Sequence, residues 1–119
     1  MSYRYYNDNP LGRDTQDCTI RSISVAINKS WDYVYDMLSD LAQEEGTMQD
    51  DRDFILDFLD DNFERVPTYG LTVGEVAKEY RNHIVLITMD GHIVCARYGK
   101  LYDTFNPSNR IAEYCWIVS

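Results

Sequence analysis

Residues 83–105 read HIVLITMDGHIVCARYGKLYDTF, and this stretch decides the fold class. His83–Met89 is an apolar run rich in β-branched residues, Asp90-Gly91 is a strong two-residue hairpin signal, and His92–Tyr98 is a second apolar run. A turn around Gly99 leads to Leu101–Phe105. Beyond it, Asn106-Pro107-Ser108-Asn109 reads as a loop and Ala112–Val118 as a last strand. The carboxy-terminal part is therefore expected to form an antiparallel sheet.

Upstream of Arg81 the apolar period is that of helices. Asp17 stands where it can cap a helix starting at Cys18, whose Ile20, Ile23 and Ile27, with Val25 and Ala26, make it mostly buried. Asn28-Lys29 breaks it, and Ser30 caps a second helix with Asp32 in its first turn. Val34, Met37, Leu38 and Leu41 fall at i, i+3, i+4 and i+7 on its inner face, and Gly46 ends it. A third helix opens over Asp50–Asp53, with Phe54, Ile55, Phe58 and Leu59 as its apolar side. Pro67 and Gly70 mark a loop, and Thr72 with Glu75 has capping-box spacing for a short helix ending near Tyr80. Residues 1–16 read as an irregular lead-in. Helices followed by an antiparallel sheet predict an α+β chain, with 1–119 forming one domain.

Composition narrows the function. The net charge of −9 and eleven scattered basic residues argue against a grip on nucleic-acid backbones. The acidity serves solubility, or attraction to a basic partner. Three cysteines with no CxxC pair speak against a disulfide framework or structural zinc. No cofactor or metal is expected. The amino terminus lacks a signal-type apolar segment and no 18-residue apolar run occurs, so a cytoplasmic, non-membrane location is expected.

Two residues carry candidate chemistry. Cys18 starts a helix, where free N–H groups and the positive dipole end favour a thiolate, although a small buried hydrophobe could equally begin one. His92 follows the Asp90-Gly91 turn, with Asp103 on the next strand. If Tyr98-Gly99 forms the tip, Asp103 falls opposite Val94, a diagonal neighbour of His92 on the same face. A tip at Gly99-Lys100 keeps Asp103 on that face but farther off. Asn106 is the competing orienter: strand parity disfavours it, but the Pro107 turn could swing it back. His83, without a comparably placed acidic residue, reads as structural, and Cys95 and Cys115 as core. A metal site from His92, Cys18 and Cys95 has no supporting ligand spacing. Tyr3, Tyr5, Tyr6 and Tyr69 either line a cleft or cover the core. Tyr102 and Phe105 either stack on a substrate or pack.

A cysteine far in sequence from a histidine and its orienter is the pattern of cysteine hydrolases. The segment Gln16-Asp17-Cys18-Thr19-Ile20-Arg21-Ser22-Ile23 resembles the helix start of small papain-like proteins of phages and bacterial mobile elements. Gly91-His92-Ile93-Val94-Cys95-Ala96 with Leu101-Tyr102-Asp103-Thr104-Phe105, and the closing Tyr114-Cys115-Trp116-Ile117, resemble the same group. The resemblance implies a papain-like fold, amino-terminal helices packed on a carboxy-terminal antiparallel sheet. It also implies Cys18 as nucleophile, His92 as general base and acid, and Asp103 as orienter of a peptidase, amidase or deconjugating hydrolase working through an acyl-enzyme. The Cys18 N–H would be one oxyanion donor, with Gln16 or Asn9 as the other. Better-known papain and bacteriocin-processing peptidases carry glutamine several residues before the cysteine and often glycine after it. Here Gly12 stands six before Cys18 and Thr19 follows, so the second donor stays open. The implied partner is a peptide or protein substrate in a host cytoplasm. The alternative is a non-catalytic acidic binding protein on the same fold, such as a phage-encoded antagonist of a host defence protein.

Overall fold

The computed structural model describes residues 2–12 and 17–119. Helices α1 (Cys18–Ile27), α2 (Trp31–Glu45), α3 (Arg52–Asn62) and α4 (Val73–Glu79) accompany strands β1 (Ser2–Tyr5), β2 (Glu64–Val66), β3 (Ile84–Met89), β4 (His92–Arg97), β5 (Lys100–Asp103) and β6 (Tyr114–Ile117). The strands form one mixed sheet in the order β1-β5-β4-β3-β6-β2.

Local chemistry sets most element ends. Asn28 closes α1 in the left-handed conformation, and Ser30 caps α2 by accepting from the Tyr33 N–H at 3.1 Å. Gly46 ends α2 with φ 70°. Thr72 and Glu75 form a reciprocal capping box on α4.

The helices divide between the faces of the sheet. Ile23 of α1, Val34 and Leu38 of α2 and Leu59 of α3 pack with Leu86, Ile93, Cys95 and Trp116. The opposite face carries α4, whose Val73, Val76 and Ala77 pack with Val85, Ile87, Val94 and Leu101. Every residue of β3 is buried, as expected for a strand covered on both sides. Helices therefore cover both faces, α1–α3 on one and α4 on the other.

Two strands depart from the sequence reading, and both make the sheet larger. Ser2–Tyr5, expected to be irregular, is β1, paired parallel to β5 so that Tyr5 lies beside Asp103. The sheet is thus mixed rather than purely antiparallel. Glu64–Val66 forms β2 on the far edge, antiparallel to β6. Both are short and polar, and their order comes from a long-range backbone partner that no local pattern announces.

The β4–β5 hairpin sets the register on which the site depends. Arg97 pairs with Lys100 and Cys95 with Tyr102, so Tyr98-Gly99 is the tip and the next step places Asp103 opposite Val94. Tyr98 (φ 53°) and Gly99 (φ 83°) both have positive φ, as a tight type I′ turn requires. A Cβ on Gly99 would also lie 3.3 Å from the Arg81 Cβ. Gly99→Ala is therefore expected to destabilise the protein by about 1–2 kcal/mol, read as a lower melting temperature. An unchanged melting temperature would show that the tip tolerates a side chain.

Candidate active site

The sequence at the start of α1 does something other than capping. The Asp17 side chain makes no cap hydrogen bond. Its Oδ1 instead accepts from Arg21 Nε at 2.7 Å, and its Oδ2 accepts from Trp31 Nε1 at 2.8 Å and Asn9 Nδ2 at 3.4 Å. This corrects the expected role: Asp17 ties α1 to α2 and to the amino-terminal segment. Among the described residues, the first helical turn, headed by Cys18, has no side-chain cap on the positive end of its dipole.

His92 is the first residue of β4 and Asp103 the last of β5, so the antiparallel hairpin brings both to one end. Asp103 Oδ2 lies 2.6 Å from His92 Nε2. Asp103 Oδ1 accepts from the Thr104 N–H at 2.7 Å and from Arg21 Nη1 at 3.2 Å. Its backbone carbonyl accepts from the Tyr6 N–H at 2.8 Å and the Tyr3 hydroxyl at 3.1 Å. A carboxylate only 2% exposed is thus held from both sides, and β1 helps to hold it.

With Nε2 engaged by Asp103, Nδ1 is the imidazole nitrogen left for Cys18, and the thiol and imidazole are hydrogen-bonded. The Ile93 backbone N–H also donates to the Cys18 sulfur. The Phe105 ring lies over His92, centroids 4.7 Å apart and planes at 36°.

These contacts set the protonation states. Burial by itself would push the Cys18 thiol up. The His92 hydrogen bond and charge, the Ile93 N–H and the Arg21 guanidinium outweigh it and hold the thiol below its ordinary 9.0. Burial likewise opposes protonation of His92, but the hydrogen bonds and charges of Asp103 and Cys18 raise it to about 9. The two shifts act in the same sense, both favouring a thiolate–imidazolium pair over a thiol and a neutral imidazole. Cys115, with nothing to offset burial, is pushed up to about 12, and burial raises Cys95 further. Of the three thiols, Cys18 is the one poised to react.

A cleft of about 610 Å³ opens at this group, lined by Cys18 and His92 together with Arg52, Ile55, Leu56 and Phe105. A carbonyl compound entering there meets the sulfur, a protonated imidazole and a helix N-terminus, the three components of acyl transfer.

The structure brings Cys18, His92 and Asp103 together. Asn106 is exposed and its Oδ1 accepts from the Ser108 N–H at 3.1 Å, a turn contact, while Asp103 holds the imidazole. Gln16 lies outside the described residues. The Asn9 amide is engaged with Asp17 and with the Leu11 N–H rather than turned to the sulfur. Tyr6 packs edge-on against Tyr102, and Tyr3 against the α4 face of the sheet; neither lines the cleft. Among the described residues no group of three or more His, Cys, Asp or Glu side chains is arranged to hold a metal ion. No described helix is long and apolar enough to cross a membrane.

Arg21 was not assigned a role from the sequence, although its spacing of four from Asp17 is a legible helical pairing signal. Its second partner, Asp103, is 82 residues away and had no such signal.

No family model matches the chain, and no curated protein or solved structure matches it.

Proposed function

We propose that this chain is a cysteine hydrolase in which Cys18, His92 and Asp103 act as nucleophile, acid–base and orienter on a papain-like arrangement. The supporting observation is the continuous chain of contacts from Cys18 through His92 to Asp103, at the start of a helix and in the lining of a cleft. The thiolate attacks an acyl carbon, forming an S–C bond as electrons move to the carbonyl oxygen. The Cys18 N–H at the head of α1 stabilises that oxyanion. Collapse expels the amine or alcohol, which takes its proton from His92 Nδ1. Water then attacks the thioester, giving one proton to the now neutral imidazole; the acid leaves and the thiolate–imidazolium pair returns. An amide, isopeptide or similar acyl bond fits this chemistry.

The test is the pH dependence of iodoacetamide alkylation at each cysteine. An ordinary thiol at pH 7 is ~3% ionised. A largely ionised Cys18 should therefore react on the order of tenfold faster, after discounting the weaker nucleophilicity of a low-pKa thiolate. Its rate should already rise well below pH 8.5, and His92→Ala should remove the advantage. Turnover of a substrate should be bell-shaped. The acid limb reports protonation of the Cys18 thiolate, and the alkaline limb, near pH 9, reports loss of the His92 proton needed by the leaving group. Reaction of Cys18 like a buried thiol, indifferent to His92, would sink the proposal.

A second reading, a non-catalytic protein that occupies a basic site on a partner such as a host defence protein, is favoured by one observation. Residues 31–64 hold twelve acidic residues and one basic residue, against eight acidic and ten basic elsewhere. The whole net charge therefore resides in the α2–α3 segment. Partner binding that survives Cys18→Ala unchanged would support this reading over catalysis.

A further inference from the structure

A second cleft, of about 620 Å³, adjoins the first: Thr19 and Asp50 line both, so the two meet one residue beyond Cys18. This second space is built differently from the first. One wall is the indole of Trp31 stacked on the Tyr35 ring, with centroids 5.2 Å apart and planes at 17°. Trp31 is fixed by its hydrogen bond to Asp17, so the aromatic wall is tied to the same residue that anchors Arg21. Leu11, Ile20 and Met48 add apolar surface.

The charged groups among the described residues of the cleft are all carboxylates. The Asp32 and Asp50 carboxylates line it, and among the described residues neither has an ion-pair partner. Gln49, also in the lining, has a buried Oε1 with no hydrogen-bond partner among the described residues. No Lys, Arg or His is among the described residues that line the space. The cleft also lies against α2, in the segment that holds the excess negative charge.

This inference rests on the acyl-transfer reading and narrows its substrate class. We propose that the cleft beside Thr19 receives a lysine or arginine side chain of a peptide or protein substrate whose carbonyl is presented to Cys18. A long basic side chain matches the space in both of its parts. Its methylene stem covers Ile20 and Met48, and its cationic head finds an aromatic face, two carboxylates and an unpaired amide oxygen. An apolar side chain would cover the walls but leave those acceptors without a donor, and an acidic one would be repelled. The negative α2–α3 face adds long-range attraction for a basic substrate.

The test compares inactivators that read the cleft through the rate of Cys18 modification. Acetyl-dipeptidyl acyloxymethyl ketones carry lysine, norleucine or glutamate at the first or second residue from the reactive carbon. Norleucine keeps most of the stem and lacks the charge. At one of the two positions lysine should raise the second-order rate about tenfold over norleucine and further over glutamate. The preference should shrink in high salt and in Asp32→Asn/Asp50→Asn, with the lysine and norleucine rates of each protein taken relative to its own iodoacetamide rate at Cys18. Equal rates for lysine and norleucine, or a lysine preference indifferent to both aspartates, would overturn the inference. Its failure is separable from failure of the acyl-transfer reading, which the iodoacetamide profile judges alone. Should Cys18 prove unreactive, equilibrium binding of the lysine and norleucine peptide amides to Cys18→Ala protein decides the cleft by the same comparison.

Discussion

Arg21→Ala is expected to destabilise the protein by about 3–5 kcal/mol, because it removes the guanidinium that joins two buried carboxylates and leaves Asp17 without an ion-pair partner. Arg21 is 6% exposed, Asp17 is 7% and Asp103 is 2%, so water cannot take over the role of the guanidinium. The side chain spans from α1 to β5, giving one N–H to each carboxylate at 2.7 and 3.2 Å. Without it, Asp17 loses its ion-pair partner, Asp103 is left with His92 alone, and the two carboxylates remain close to one another. For a chain of 119 residues the expected fall in melting temperature is about 12–20 °C. Arg21→Lys should recover part of this, since one ammonium cannot reproduce the fork that meets both partners.

The pH dependence gives the sign. Although burial opposes its charge, the contacts from Arg21, Trp31 and Asn9 hold the Asp17 carboxyl below its ordinary 3.8 in the folded protein. Its contribution to stability is thus present above pH 3.8 and is lost as the pH falls through the lowered value. The gap between wild type and Arg21→Ala should accordingly narrow in acid. A fall of less than about 3 °C at pH 7, constant down to pH 3, would show that this buried network contributes little net stability.

The second large effect concerns turnover. With p-nitrophenyl acetate as a generic acyl donor, His92→Ala is expected to lower the steady-state rate by about a hundredfold or more. The leaving group of this ester departs without an acid, so Cys18 can still be acetylated, slowly, by its residual thiolate. Hydrolysis of the thioester has no such alternative, because water must lose a proton as it attacks and His92 is the group placed to take it. Acetylated Cys18 should therefore accumulate in His92→Ala and be visible by intact mass. Cys18→Ala should show neither burst nor acetylation at that site. A His92→Ala protein that turns over at the wild-type rate would remove the imidazole from the mechanism.

Much of the fold was legible in the sequence because it depends on neighbours in the chain. Ser30, Gly46 and the Thr72–Glu75 pair act within one helical turn, so the ends of α2 and the start of α4 could be read directly. The Asp90-Gly91 and Tyr98-Gly99 turns fix hairpin register within a few residues, and register places Asp103 on the His92 face. Asp17 was misread for the same reason. An Asp before a helix signals a cap, but Arg21 and Trp31 compete for its oxygens once α2 folds back on α1.

What the sequence by itself determined is the four helices, the four strands that follow them, and the placing of Asp103 on the His92 face of one hairpin, with Asn106 left as a competing orienter. Periodicity, capping and turn chemistry act over a few residues, and those suffice for that much. Tertiary structure alone decided that Ser2–Tyr5 completes the sheet beside Asp103, that α4 covers the opposite face, and that Arg21 joins the helix of the nucleophile to the strand of the orienter. It also brought the Ile93 N–H to the Cys18 sulfur, 75 residues away in the chain. Each of these contacts joins groups far apart in sequence, and each forms because collapse of the core leaves buried donors and acceptors that must find partners.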